Sequence, residues 1–177
     1  FDPLADAVTM ALNGRVVGLE DAAIRLAIKT TSSDASETFN VTISGIPAGA
    51  TIVYGGTPLT IVGGSVTIAN FSNSTPMTIA PPPNSNENFQ LTVSAVSVDG
   101  TSTSAPVSRT IDVSVTGVAD TAMVTLPATS YSATESALDS VGGHKVALSD
   151  VVTSVTSPDN DGSETVTLRI TGLAEGF

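Results

Sequence analysis

The chain has 177 residues, 41% hydrophobic but only 4% aromatic, with 17 acids against 6 bases and a formal net charge of -11. That charge repels nucleic acid and anionic membrane surfaces, so neither is an expected partner. The absence of cysteine excludes disulfides, thiolate metal sites and a cysteine nucleophile, and one histidine, His144, gives a triad or zinc site no second imidazole. No apolar run is long enough to span a bilayer, so no membrane insertion is expected. No leader is visible either, and the chain reads as a piece of something larger.

Taken in chain order, the elements are short strands. In "LEDAAIRLAIK" (19–29) the apolar residues Ile24, Leu26 and Ile28 alternate, which predicts a strand; an eleven-residue helix is the other reading. "TFNVTISGIP" (38–47) puts Phe39, Val41 and Ile43 on one face. Shorter runs follow at "ATIVYG" (50–55), "LTIVGGSVTIA" (59–69) and "PMTIA" (76–80), with Gly-Gly and Asn-Ser pairs turning the chain between them. "APPPNSNEN" (80–88) reads as a polar connection. "NFQLTVSAV" (88–96) turns Phe89, Leu91, Val93 and Ala95 inward, and "RTIDVSVTGV" (109–118) does the same with Ile111, Val113 and Val115. Turn-bounded strands at this spacing predict an all-β fold, an antiparallel β-sandwich, its core built from Val, Ile, Leu and Ala in a chain without Trp.

The sequence also repeats itself. "SETFNVTISGIPAG" (36–49) aligns without a gap on "SETVTLRITGLAEG" (163–176), at an offset of 127 residues. Upstream, "LADAVTM" (4–10) matches "VADTAMVTL" (118–126). Two anchors in the same order predict a tandem repeat: one complete β-sandwich over 1–117, then a linker and the first strands of a second, incomplete one over 118–177. Exposed edges in an incomplete copy open three possibilities: a split sandwich completed by later chain, a homodimer by strand exchange or edge pairing, or a boundary with no structural meaning.

Strand order distributes the acids. If 22–30 runs from the incoming to the outgoing pole of the sandwich, Asp6, Glu20, Asp21 and Asp99 gather at the incoming pole. Asp34 and Glu37 then meet Asp120 at the outgoing pole, facing Glu135 of the second copy. In that copy "DNDGSE" (159–164) supplies Asp159, Asp161 and Glu164 where the first reads "SSDASE" (32–37). Clustered carboxylates repel unless a cation joins them, and Ca2+ takes six to eight such oxygens within about 2.6 Å. The plainer readings are that the acids keep the protein soluble and that "DNDGSE" is a metal-free turn. It is not an EF-hand, because its glutamate comes too early.

The ordered set "GLEDAAIRLAI", "DNDGSE", "VTISGIPAGA", "FQLTVSAVSVDG" and "TIDVSVTGVAD" resembles the immunoglobulin-like or cadherin-like repeats of giant repeats-in-toxin adhesins of bacteria. The chain departs from that pattern where Ser32 stands in place of Asp159, Ala35 in place of Gly162, and Ser136 in place of Asp21. The resemblance implies export by type I secretion to the cell surface and a role in adhesion and biofilm formation. It also implies a non-catalytic extender stiffened by Ca2+ at its junctions, with neighbouring repeats as partners. The alternative is a recognition module binding a glycan or another protein chain.

Overall fold

The computed structural model describes residues 4–126, 152–159, 162 and 164–172. The chain divides into two compact units, Phe1–Val118 and Ala119–Phe177. Every element assigned among the described residues is a strand.

In the first unit, β1 (Thr9–Leu12) pairs antiparallel with β4 (Ile28–Thr31). A four-stranded sheet runs in the order β3 (Ile24–Arg25), β9 (Met77–Ala80), β6 (Thr51–Tyr54), β7 (Thr57–Pro58). The larger sheet runs β2 (Arg15–Leu19), β12 (Val107–Thr116), β10 (Phe89–Asp99), β5 (Thr38–Ser44), β8 (Ser65–Ile68), with β11 (Ser102–Thr103) paired on β10. The result is a β-sandwich. In the second unit β13 (Met123–Thr125) pairs antiparallel with β14 (Ser154–Thr156).

Period-two alternation explains which side chains fill the sandwich. Val41 and Ile43 of β5, Leu91, Val93 and Ala95 of β10, and Ile111 and Val113 of β12 are almost wholly buried. They meet Ile52 and Ile79 of the smaller sheet in one core cluster, while Phe39 and Phe89 pack at its margin. The segment open to a helical reading is extended: Ile24, Leu26, Ile28 and Thr30 are buried and Arg25, Ala27 and Lys29 exposed. A helix would have scattered those apolar side chains around its circumference. Glycines turn the chain where the pairs Gly-Gly stand. At Gly63 and Gly64 both φ angles are positive, 58° and 71°, the geometry of a two-residue hairpin turn, and Val62 bridges Ser65 across it.

Two strands that the alternation did not reveal reverse the expected poles. β1 and β2 come before the segment 22–30, and β2 lies parallel to β12, from Arg15↔Asp112 to Leu19↔Thr116. The chain has therefore already crossed the sandwich once when it reaches Glu20, which stands beside the last residues of β12. β4 then returns antiparallel to β1, with Thr31 opposite Thr9, and brings loop 32–37 back to the incoming segment. β10 ends at the same pole, Val98 lying opposite Thr38.

Candidate functional site

The incoming pole is built around Glu37, at the start of β5. Its Oε1 accepts the backbone N–H of Asp6. The Asp6 carbonyl accepts the hydroxyl of the fully buried Ser97, and its Oδ2 accepts the Ser33 hydroxyl at 2.7 Å. The Ala5 N–H donates to Ser102 Oγ at 3.1 Å, which ties the same segment to β11. Asp34 organises the loop: its Oδ1 accepts both the N–H and the hydroxyl of Ser36, each at 2.8 Å. The Ser36 backbone bond, then its hydroxyl, hold the Asp34 carboxyl below the usual aspartate value of 3.8. Asp99, the last residue of β10, pairs with Ser102 and so belongs to this pole.

The outgoing pole is built around Glu20. Its backbone N–H donates to the Thr116 carbonyl at 3.0 Å, and its Oε1 accepts the N–H of Val118, the first residue beyond β12 and Gly117. Asp21 sits in the left-handed region at φ 55°, and its Oδ1 accepts the N–H of Asn84 at 3.0 Å. Asn88 Oδ1 accepts the Val115 N–H at 2.8 Å. A side chain at Gly117 would place its first carbon 3.3 Å from Asn86 Nδ2 and 3.6 Å from Glu20 Oε1, so these groups close around the glycine.

The two glutamates share one property that the sequence does not display. Glu20 is 3% exposed and Glu37 7%, yet in each the second oxygen, Oε2, is buried with no hydrogen-bond partner. A buried acceptor left unmade costs about 1–3 kcal/mol, and more when charged. Each carboxylate thus holds the chain by one oxygen and keeps the other unused.

The second unit repeats the attachment. Glu164 Oε1 accepts the N–H of Asp120, the counterpart of Asp6 in the aligned anchors. Here the other oxygen is taken, because Glu164 Oε2 accepts the Ser157 hydroxyl, and Ser157 Oγ also accepts the Asp159 N–H at 3.4 Å. Gly172 has φ 78°, matching Gly45 at 77° in the aligned sequence.

The grouping of acids therefore differs from the one strand order predicts. Asp6, Asp34, Glu37 and Asp99 share the incoming pole; Glu20 and Asp21 stand at the outgoing one; Asp120 and Glu164 are joined within the second unit. Asp99 does not accompany Glu20, because β1 and β2 add a crossing of the sandwich before it. Among the described residues no three carboxylates or histidines come together as a ready cation cage. Glu135, Asp161, His144 and the segment 136–150 lie outside the described residues.

Sequence reasoning missed the asparagines. Asn84, Asn86 and Asn88 recur at every second residue in "PNSNEN". Two of them reach the outgoing pole by the bonds just described, and Asn86 approaches it at Gly117. The recurring Asn was the available signal, hidden because Pro and Asn together also spell a turn.

No helix among the described residues is long and apolar enough to cross a membrane. No protein-family model matches the chain, and no curated protein matches it. Among solved structures it is similar to a cohesin module from a family 33 glycoside hydrolase of Clostridium perfringens ATCC13124, at 12% identity and a TM-score of 0.33, covering 64% of this chain and 100% of that one. A score that low carries no argument, and the sandwich stands on the strand pairing described above.

Proposed function

We propose that the chain is part of a non-catalytic, calcium-stabilised extender of a large bacterial surface adhesin of the repeats-in-toxin kind, exported by type I secretion and serving cell adhesion and biofilm formation. One observation carries the calcium part of this reading: Glu20 and Glu37, more than nine-tenths buried at opposite poles, each leave one carboxylate oxygen without a partner. Such an oxygen suits a hard cation, which binds carboxylate, amide and carbonyl oxygens alike. At the incoming pole Asp6, Asp34 and Asp99 would add carboxylates. At the outgoing pole Asp21 would add a carboxylate and Asn88 an amide oxygen, with carbonyls and water completing the shell.

The same glutamates hold the backbone of Asp6 and Val118, where the chain enters and leaves the sandwich. An ion drawn to Oε2 fixes the carboxylate and, through Oε1, the connecting segment. Calcium then does two things in one place: it removes an unsatisfied buried charge and it stiffens the path of the chain, as a stalk under tension requires.

The reading is tested by melting the chain in EDTA and in millimolar Ca2+. Ligand at about a hundred times its Kd adds about 2.7 kcal/mol to the folded state, which for a domain this size raises Tm by on the order of 10 °C. Solution scattering in the two conditions tests the mechanical half, with a more extended envelope expected in calcium. Unchanged melting and unchanged scattering would sink the reading.

A further inference from the structure

We propose that the seam between β4 and the start of β9 is a binding site for an acidic saccharide, a function beyond the extender reading and independent of its calcium. β3 is joined to the smaller sheet at Arg25↔Thr78, and the Leu26 N–H still reaches the Met77 carbonyl at 3.0 Å. The strand then leaves that sheet, and from Ile28 it pairs with β1 instead. Two residues further on, Asn73 clasps Thr30 as a neighbouring strand would. Its Oδ1 accepts the Thr30 N–H at 2.8 Å and its Nδ2 donates to the Thr30 carbonyl at 2.7 Å. Between these two ties no hydrogen bond among the described residues joins 27–29 to 74–76. The gap is a groove of about 650 Å³, lined by both segments, a size that suits one or two sugar rings.

The walls of the groove specify the ligand. Arg25 and Lys29, two of only six bases in the chain, stand on the outward face of the same extended segment, with the small Ala27 between them. Neither makes an ion pair among the described residues, although the chain carries 17 acids. Strand alternation turns the Ile28 N–H and carbonyl the same way as those of Thr30, into the gap. Ser74 and Thr75 offer hydroxyls from the opposite wall, and the half-buried Leu12 offers apolar surface. Two cations, several hydrogen-bonding groups and a small apolar patch match a sugar that carries a carboxylate.

Other occupants fit less well. The ties at Met77 and Thr30 close the seam at both ends, so an added peptide strand would have only about three residues to pair with. The net charge of -11 opposes nucleic acid and anionic membrane, whereas a short oligosaccharide with one acid per ring meets the two bases without facing the acidic poles. None of the pole carboxylates lines the groove.

Calorimetric titration of the full 177-residue chain with trigalacturonate tests the proposal, in EDTA so that the ligand cannot act through calcium. Trigalacturonate should bind, with neutral galactotriose about tenfold weaker or worse, and the double variant Arg25→Ala, Lys29→Ala should weaken the acidic ligand by a similar factor. Inorganic phosphate is the control for a bare anion patch and should bind more weakly than the trisaccharide. Absence of binding, equal binding of the neutral sugar, equal binding of phosphate, or an unaffected double variant would each overturn the site. If the double variant melts well below the wild type, amide shifts in the wild-type chain decide instead. Shifts centred on 27–29 and 74–77 support the site, and shifts elsewhere refute it. A chain whose melting ignores calcium yet binds trigalacturonate would lose the extender reading and keep this one.

Discussion

Glu37 and Glu164 occupy the same place in the two aligned copies and hold the same kind of partner, the backbone N–H of a linker aspartate. They differ in the other oxygen. In Glu164 it accepts the Ser157 hydroxyl; in Glu37 it is buried with nothing to accept. One serine therefore separates a carboxylate with partners on both oxygens from one with an oxygen left over. The calcium response proposed for this chain should reside at Glu37, and at Glu20, which shares the unused oxygen, and not at Glu164. If it does, a more acidic loop is a poorer guide to metal dependence than an unsatisfied buried oxygen: "DNDGSE" has more acids than "SSDASE", yet the glutamate with the unused oxygen follows "SSDAS".

That contrast can be broken most forcefully at the glutamates. The double variant Glu20→Gln, Glu37→Gln should lose most of the calcium-induced rise, on the order of 10 °C, while Glu164→Gln keeps it. A loss in Glu164→Gln as large as in the double variant would show that the serine contact does not distinguish the two copies. Next in size is a backbone comparison. Gly45 and Gly172 share positive φ, but a side chain at Gly45 would lie 2.6 Å from the Gln90 carbonyl oxygen, whereas at Gly172 nothing is within 4 Å. Gly45→Ala should cost about 3 kcal/mol, combining left-handed strain with a clash that backbone must yield to, and Gly172→Ala about 1 kcal/mol. Urea unfolding of the two variants measures both, and equal costs would mean that the two turns sit in equivalent surroundings.

Smaller again is the clasp at the sheet seam. Asn73→Ala should remove about 1–3 kcal/mol, because it strands the buried Thr30 backbone, and hydrogen exchange at the Thr30 amide should accelerate. The smallest effect is acidic. Asp34 has its folded-state pKa lowered, so its contribution is present above the ordinary value of 3.8 and is lost as pH falls through the lower folded value. Asp34→Asn should lower stability slightly at neutral pH and change it little in strong acid, so that the acid limb of the stability profile flattens. A loss of similar size at pH 7 and pH 3 would show that the loop depends on Asp34 geometry and not on its charge.

The strands of the larger sheet were legible because half their residues face a dry core: Val41, Ile43, Leu91, Val93 and Ile111 alternate with hydroxyl and amide side chains that face water. β2 was not legible for the converse reason. Val17 and Leu19 are exposed and Val16 only half-buried, so "RVVGL" shows no clean period, and its parallel pairing with β12 is a contact 97 residues apart at each rung. Missing that one crossing reversed which pole receives Glu20 and which receives Glu37. The acids themselves were legible as a class, since Glu20 and Glu37 flank strands and Asp6 and Asp34 stand in the segments that connect them. Their unequal burial was not, because it depends on how Ser97, Thr116 and the 84–88 loop close over them.

The central claim is that buried carboxylates at both poles are finished by calcium. Its most direct measurement is a melting curve of the wild-type chain in EDTA against one in millimolar calcium, with magnesium as the control. The account predicts a rise on the order of 10 °C in calcium and a much smaller one in magnesium, which demands near-ideal octahedral geometry and gives up its water reluctantly. Curves that superimpose in all three conditions would contradict it.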